Sequence, residues 1–90
     1  MPQDQSEARM QAPWSKPVLV ALEESGKYTS IDTTQAASWA MIEDWPTEDG
    51  AALDQALLIC ADVIKGKASN EQARQAFIAA AVEAGIDIQR

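Results

Sequence analysis

The chain has 90 residues, 14 acidic against 7 basic, for a formal net charge of −7, with one cysteine and no histidine. That balance argues against a general phosphate binder, whose affinity comes from Lys and Arg displacing counterions, and against an anionic membrane surface. One cysteine cannot close an internal disulfide, and no apolar run approaches the roughly 20 residues of a spanning helix, so a cytoplasmic protein is expected. The first residues lack an apolar stretch behind a basic start, and no secretory signal is expected.

"MPQDQSEARMQAP" is polar, has no apolar period and ends in Pro13, which predicts a disordered tail over residues 1–13. Residues 14–90 are expected to form one α+β domain: an N-terminal β-hairpin, with a possible third short C-terminal strand, packed against three α-helices. "KPVLVALEESGKYTSID" carries the hairpin. Val18, Val20 and Leu22 share one strand face, Leu19 and Ala21 the other, and Pro17 is tolerated at the strand start. Gly26 supplies the left-handed conformation for the turn in "EESGK", and "KYTSI" returns.

The first helix is expected near Asp32, with "DTTQ" as a capping box closed by Gln35. Ala37, Met41 and Trp45 make its inward stripe, joined by Ala40 and Ile42. Pro46 stops the helix and folds Trp45 back over the core. The second helix is expected after a capping Thr47, with Glu48 and Asp49 in its first turn. Its apolar side comprises Leu53, Ala56, Leu57, Cys60, Val63 and Ile64, and Gly66 follows as the residue after the C-cap. The third helix opens on a capping box from Ser69 to Gln72, runs through Ala73, Ala76, Phe77, Ala80, Ala81 and Ala84, and ends at Gly85 with Ile86 as the apolar partner of a Schellman cap. "IDI" is a candidate last strand beside the hairpin. Ala52, Ala56 and Cys60 recur every four residues, as do Ala76, Ala80 and Ala84. Small residues on two antiparallel neighbours let the backbones approach, which makes Cys60 a seam residue.

"WSKPVLVAL", Ala37, "WP", Gly50, "ALLICADVIKGKAS" and "EQARQAFIAAAVEAGI" together resemble a family of small alphaproteobacterial proteins catalogued as domain of unknown function 982. The resemblance runs from about residue 14 to 88. Its most specific parts are Trp45-Pro46 and the "AR-x-AF-x-x-A" run from Ala73 to Ala80. It implies an α+β domain of hairpin and helices, and it implies no activity.

The chemistry-bearing residues point away from an enzyme. Without histidine the commonest general base and zinc ligand are gone, and a lone Cys makes neither a Cys–His dyad nor a Cys-rich metal site. "ESGK" lacks the earlier glycine and the Ser or Thr of a phosphate-binding loop. Glu43, Asp44 and "TEDG" read as solvated carboxylates, and "DWPTEDG" lacks the ligand spacing of a calcium loop. No catalytic residue, metal or cofactor is expected. Trp39 and Trp14 are the candidate partner-binding residues. Trp39 points away from Trp45, to be covered by the hairpin or left for a partner; Trp14 either anchors the tail on the sheet or is free. Lys65, Lys67 and Arg74 form a candidate anion patch, with the alternative that Arg74 pairs with Asp62, Glu71 or Asp44. The expected role is a non-enzymatic interaction or regulatory module. It would take a protein partner or a second copy paired through a sheet edge; an accessory nucleic-acid binder using the basic patch is the alternative.

Overall fold

The computed structural model describes residues 12–22 and 26–90. Most of the expected tail, residues 1–11, and Glu23–Ser25 of the expected turn lie outside the described residues. The element order is β1 (Pro13–Val20), β2 (Thr29–Thr33), α1 (Thr34–Glu43), α2 (Ala51–Ile64), α3 (Asn70–Glu83) and β3 (Ile88–Gln89). The sheet has the order β2-β1-β3 and both pairings are antiparallel. The hairpin, three helices and short third strand are those expected. Gly26 takes φ +89°, the left-handed conformation the turn requires.

β1 begins four residues before Pro17, inside the expected tail. Pro13 lies opposite Thr33 and Val18 opposite Ile31, so the register slips between them. Pro17 falls in that interval, where its missing N–H breaks no regular ladder. Trp14, Val18, Val20 and Ile31 are buried on the helix-covered face of the sheet. β3 starts two residues later than "IDI" suggested, with Val20 opposite Ile88. Ile86 is instead buried where α3 ends.

The helix ends show which caps are local. Ser69 and Gln72 close the expected capping box on α3. After α3, the Ile86 N–H donates to the Ala81 carbonyl and Gly85 N–H to Val82, the two bonds of a Schellman motif. Gly66 and Lys67 repeat it after α2, with Gly66 at φ +75°. Two expected caps are corrected. Asp32 remains in β2, and Thr33, still extended, accepts from the Ala36 N–H as the N-cap of α1. Thr47 does not cap α2, which starts at Ala51 behind Gly50 with no side-chain cap of its own. Glu83 at the end of α3 accepts from the Ala52 and Leu53 N–H groups instead, at 3.0 and 3.2 Å. Gly50 has φ +146°, and a Cβ there would overlap the Glu83 carboxylate, so only glycine fits.

Phe77, fully buried, sits between two indoles, with centroids 5.9 Å from Trp14 and 5.5 Å from Trp45. Trp45 thus folds back over the core just beyond α1, as the Trp-Pro pair implies. The Trp14 Nε1–H donates to Thr34 Oγ1 at 3.1 Å, and the Thr34 hydroxyl donates to Asn70 Oδ1. This chain of bonds joins β1 to the first residues of α1 and α3. α2 and α3 share the most extensive contact in the fold, with Ala56, Cys60 and Ala80 buried along it.

Replacing Thr34 with Val keeps the volume but strips the buried indole N–H of its acceptor. The expected loss in urea denaturation is about 1–3 kcal/mol, with Thr34→Ser close to wild type and a smaller penalty when Trp14→Phe is already present. Glu83→Ala is expected to cost about 0.5–2 kcal/mol through the lost cap, while Glu83→Gln retains part of it.

Candidate interaction surface

α1 is held in one rotation by what it buries. Ala37, Ala40 and Met41 face the core, and the helical period then turns residues 35, 38, 39 and 42 away from it. Trp39 is 54% exposed and Ile42 66% exposed. Ile42 was expected on the inward stripe. One residue beyond Met41 is about 100° round the helix, past the edge of the buried arc. Trp39 and Ile42, three apart, are neighbours on the outward face.

Hollows lie on both sides of Trp39. One, about 300 Å³, is bounded by Leu22 after β1, Thr29 and Ile31 on β2, and Ala36, Ala40 and Asp44 along α1. The other, about 250 Å³, is bounded by Gln35, Ser38 and Ile42. Asp44 lines the first hollow, and Asp32 and Glu43 are exposed on the elements that flank it. The surface is therefore an apolar ridge between β2 and α1 with carboxylates around it. The signal for it in the sequence was the i, i+3 pair Trp39 and Ile42; Leu22 and the β2 wall come from tertiary placement that no local pattern encodes.

The other candidates go elsewhere. Trp14 is buried at 6% exposure, packed against Phe77 with the rings tilted by 55° and bonded to Thr34, so it is part of the core and is not open to a partner. Its polar edge finds an acceptor, which lets the large ring be buried whole. Arg74 is also buried: its Nε–H donates to the Lys16 carbonyl at 3.0 Å and its Nη1 meets Glu71 at 3.4 Å. Of the three expected pairings, Glu71 is the one made. The guanidinium is thereby withdrawn from the expected patch, and only Lys65 and Lys67 stand exposed in the α2–α3 loop. Among the described residues no helix is long and apolar enough to cross a membrane.

Cys60 is buried in the α2–α3 seam. Burial in apolar surroundings pushes its thiol up from 9.0 to about 11. A thiol in that state is protonated at neutral pH and is a poor nucleophile.

A comparison with protein families matches residues 16–88 to the family described as "Protein of unknown function (DUF982)". The chain belongs to this family. The matched span takes in Trp39, Trp45, Cys60 and all three helices, while Trp14 lies just before it yet is core. No curated protein and no solved structure matches the chain at a significant level.

At neutral pH a thiol reagent is expected to label Cys60 only as fast as the domain opens, and rapidly once denaturant unfolds it. The raised pKa also has a sign. The unfolded thiol ionises near 9.0, the folded one near 11, so between those values the native state holds the extra proton. The contribution is whole below about pH 9 and is lost as pH rises towards 11. Against a Cys60→Ala reference, the stability difference should shift by about 2–3 kcal/mol across that window, read by urea midpoints.

Proposed function

We propose that the chain is a cytosolic, non-enzymatic interaction module that holds a protein partner on the α1 face centred on Trp39 and Ile42. The observation that carries this reading is the exposure of Trp39 beside an exposed Ile42. Exposed tryptophan on a regular element is enriched among residues that dominate binding energy, because a rigid ring covers much area at small entropic cost. Two hollows beside the ring give a partner's side chains somewhere to enter. The non-enzymatic part rests on an absent histidine and a protonated, buried thiol.

The geometry favours this reading over nucleic-acid binding. With Arg74 bonded to β1 and Glu71, two exposed lysines remain in the expected patch, on a chain of net charge −7. Two phosphate contacts give a salt slope of only about −1.8, too little for useful affinity at physiological salt.

Trp39→Ala should weaken partner capture or self-association by about tenfold or more, measured by pull-down from the native host and by sedimentation. Its unfolding free energy should stay within about 0.5 kcal/mol of wild type, since the ring is half in solvent. Unchanged profiles in both assays would contradict the reading.

A further inference from the structure

β2 is an edge of the sheet: β1 takes one side of it, and among the described residues nothing pairs with the other. An unpaired strand edge offers backbone N–H and C=O groups to any extended chain. The hollow against Trp39 opens directly beside this edge, with Thr29 and Ile31 of β2 as one wall and Ala36 and Ala40 of α1, with Asp44 just after it, as the other.

Side chains alternate along a strand, and so do the two environments here. Thr29, itself exposed, and the buried Ile31 point to the helix side, where Trp39, Ala36 and Ala40 supply the apolar part of the wall and Asp44 a carboxylate; Ser30 and Asp32 point to the opposite face and are exposed. A strand added to β2 would follow the same alternation. Its inward side chains would enter the hollow beside Trp39 and Ile31. Its outward side chains would lie next to Ser30 and Asp32, while Asp44 guards the hollow itself.

Resting on the interaction reading above, the geometry points to a particular partner: an extended segment of alternating apolar and basic residues, added as a fourth strand on β2. The apolar positions fill the space against Trp39 and the basic positions meet Asp32 on the opposite face. Main-chain pairing gives the affinity and the alternating pockets give selectivity, as in other strand-addition sites. A second copy of this chain fits less well. β2 paired with itself would bring two Asp32 carboxylates onto one face of the ladder, on a protein already at −7, and like charges close across a ladder are destabilising.

The test uses the full chain and three fluorescent peptides of about nine residues, long enough for one strand. One alternates lysine and valine, one alternates glutamate and valine, and the third has the first one's composition in blocks of two. Anisotropy and backbone amide exchange are read together. The lysine–valine alternation should bind and slow exchange at β2 amides within residues 29–33. The other two peptides should bind about tenfold more weakly or worse, as should the first peptide to Trp39→Ala and to Asp32→Lys, once their folding is verified by urea denaturation. Equal binding of the blocked peptide would reduce the effect to bulk charge and overturn the proposal. So would binding that leaves β2 exchange unchanged, or no binding. Protection of β2 that rises with protein concentration without peptide would assign the edge to a second copy and overturn it too. If the peptide fails while Trp39→Ala still alters capture or self-association, the strand chemistry falls and the interaction reading stands; if both fail, both fall.

Discussion

The indole N–H of Trp14 must be satisfied inside the protein, and much of the architecture follows from where its acceptor sits. A buried polar group left alone costs about 1–3 kcal/mol, comparable to what burying a large ring gains. Thr34 Oγ1 is that acceptor, and Thr34 is the first residue of α1. Its hydroxyl passes the bond on to Asn70, the first residue of α3. One sheet strand and two helix starts are therefore fixed at a single point. With its first turn pinned there, α1 has little freedom to rotate. Ala37, Ala40 and Met41 are committed to the core, and Trp39 and Ile42 to solvent.

The α2–α3 pair is fixed by different means. Ala56, Cys60 and Ala80 are buried along the seam, where small side chains favour close approach of the two helices. Sliding along such a smooth seam is opposed at its ends. The Glu83 carboxylate binds two N–H groups at the start of α2, and Gly50 leaves room for it. At the other end, the Gly66 Schellman turn and the Ser69 capping box set the length of the connection. The sulfur of Cys60 serves in this arrangement as a small apolar filler.

What the sequence made legible is what its local chemistry determines. The Ser69 box, both Schellman turns and the Trp45-Pro46 stop involve partners within a few residues, and each stands where the pattern put it. Two misplacements are local, the α1 cap at Thr33 in place of Asp32 and the outward turn of Ile42; the others involve distant partners. α2 takes its cap from a residue 31 positions away on another helix, so Thr47 was the wrong choice. Arg74 reaches a carbonyl 58 residues earlier, a contact with no trace in the pattern around "EQARQAF". Trp14 was ambiguous because its acceptor lies 20 residues on. The candidate site was half legible. Trp39 was picked out as the odd tryptophan, but the groove beside it needs Leu22 and Ile31, which only the folded sheet brings there.

The three tryptophans separate what the fold needs from what it tolerates. Trp14 has its ring against Phe77 and its N–H on Thr34. Trp45 is partly buried against the other side of Phe77, and its Nε1 is buried without a partner among the described residues. The ring contact repays that defect in part, since aromatic pairs contribute about 0.5–1.5 kcal/mol beyond the area they bury. Trp39 has no comparable return. It lies mid-helix, where Ala, Lys or Glu would favour helix more, and over half of its surface is in water. A two-layer domain covers a helix from one side, so position 39 would be exposed whatever stood there. Neither the core nor the helix asks for an indole at that place. That surplus is the ground on which a contact at the hollow beside the β2 edge is proposed.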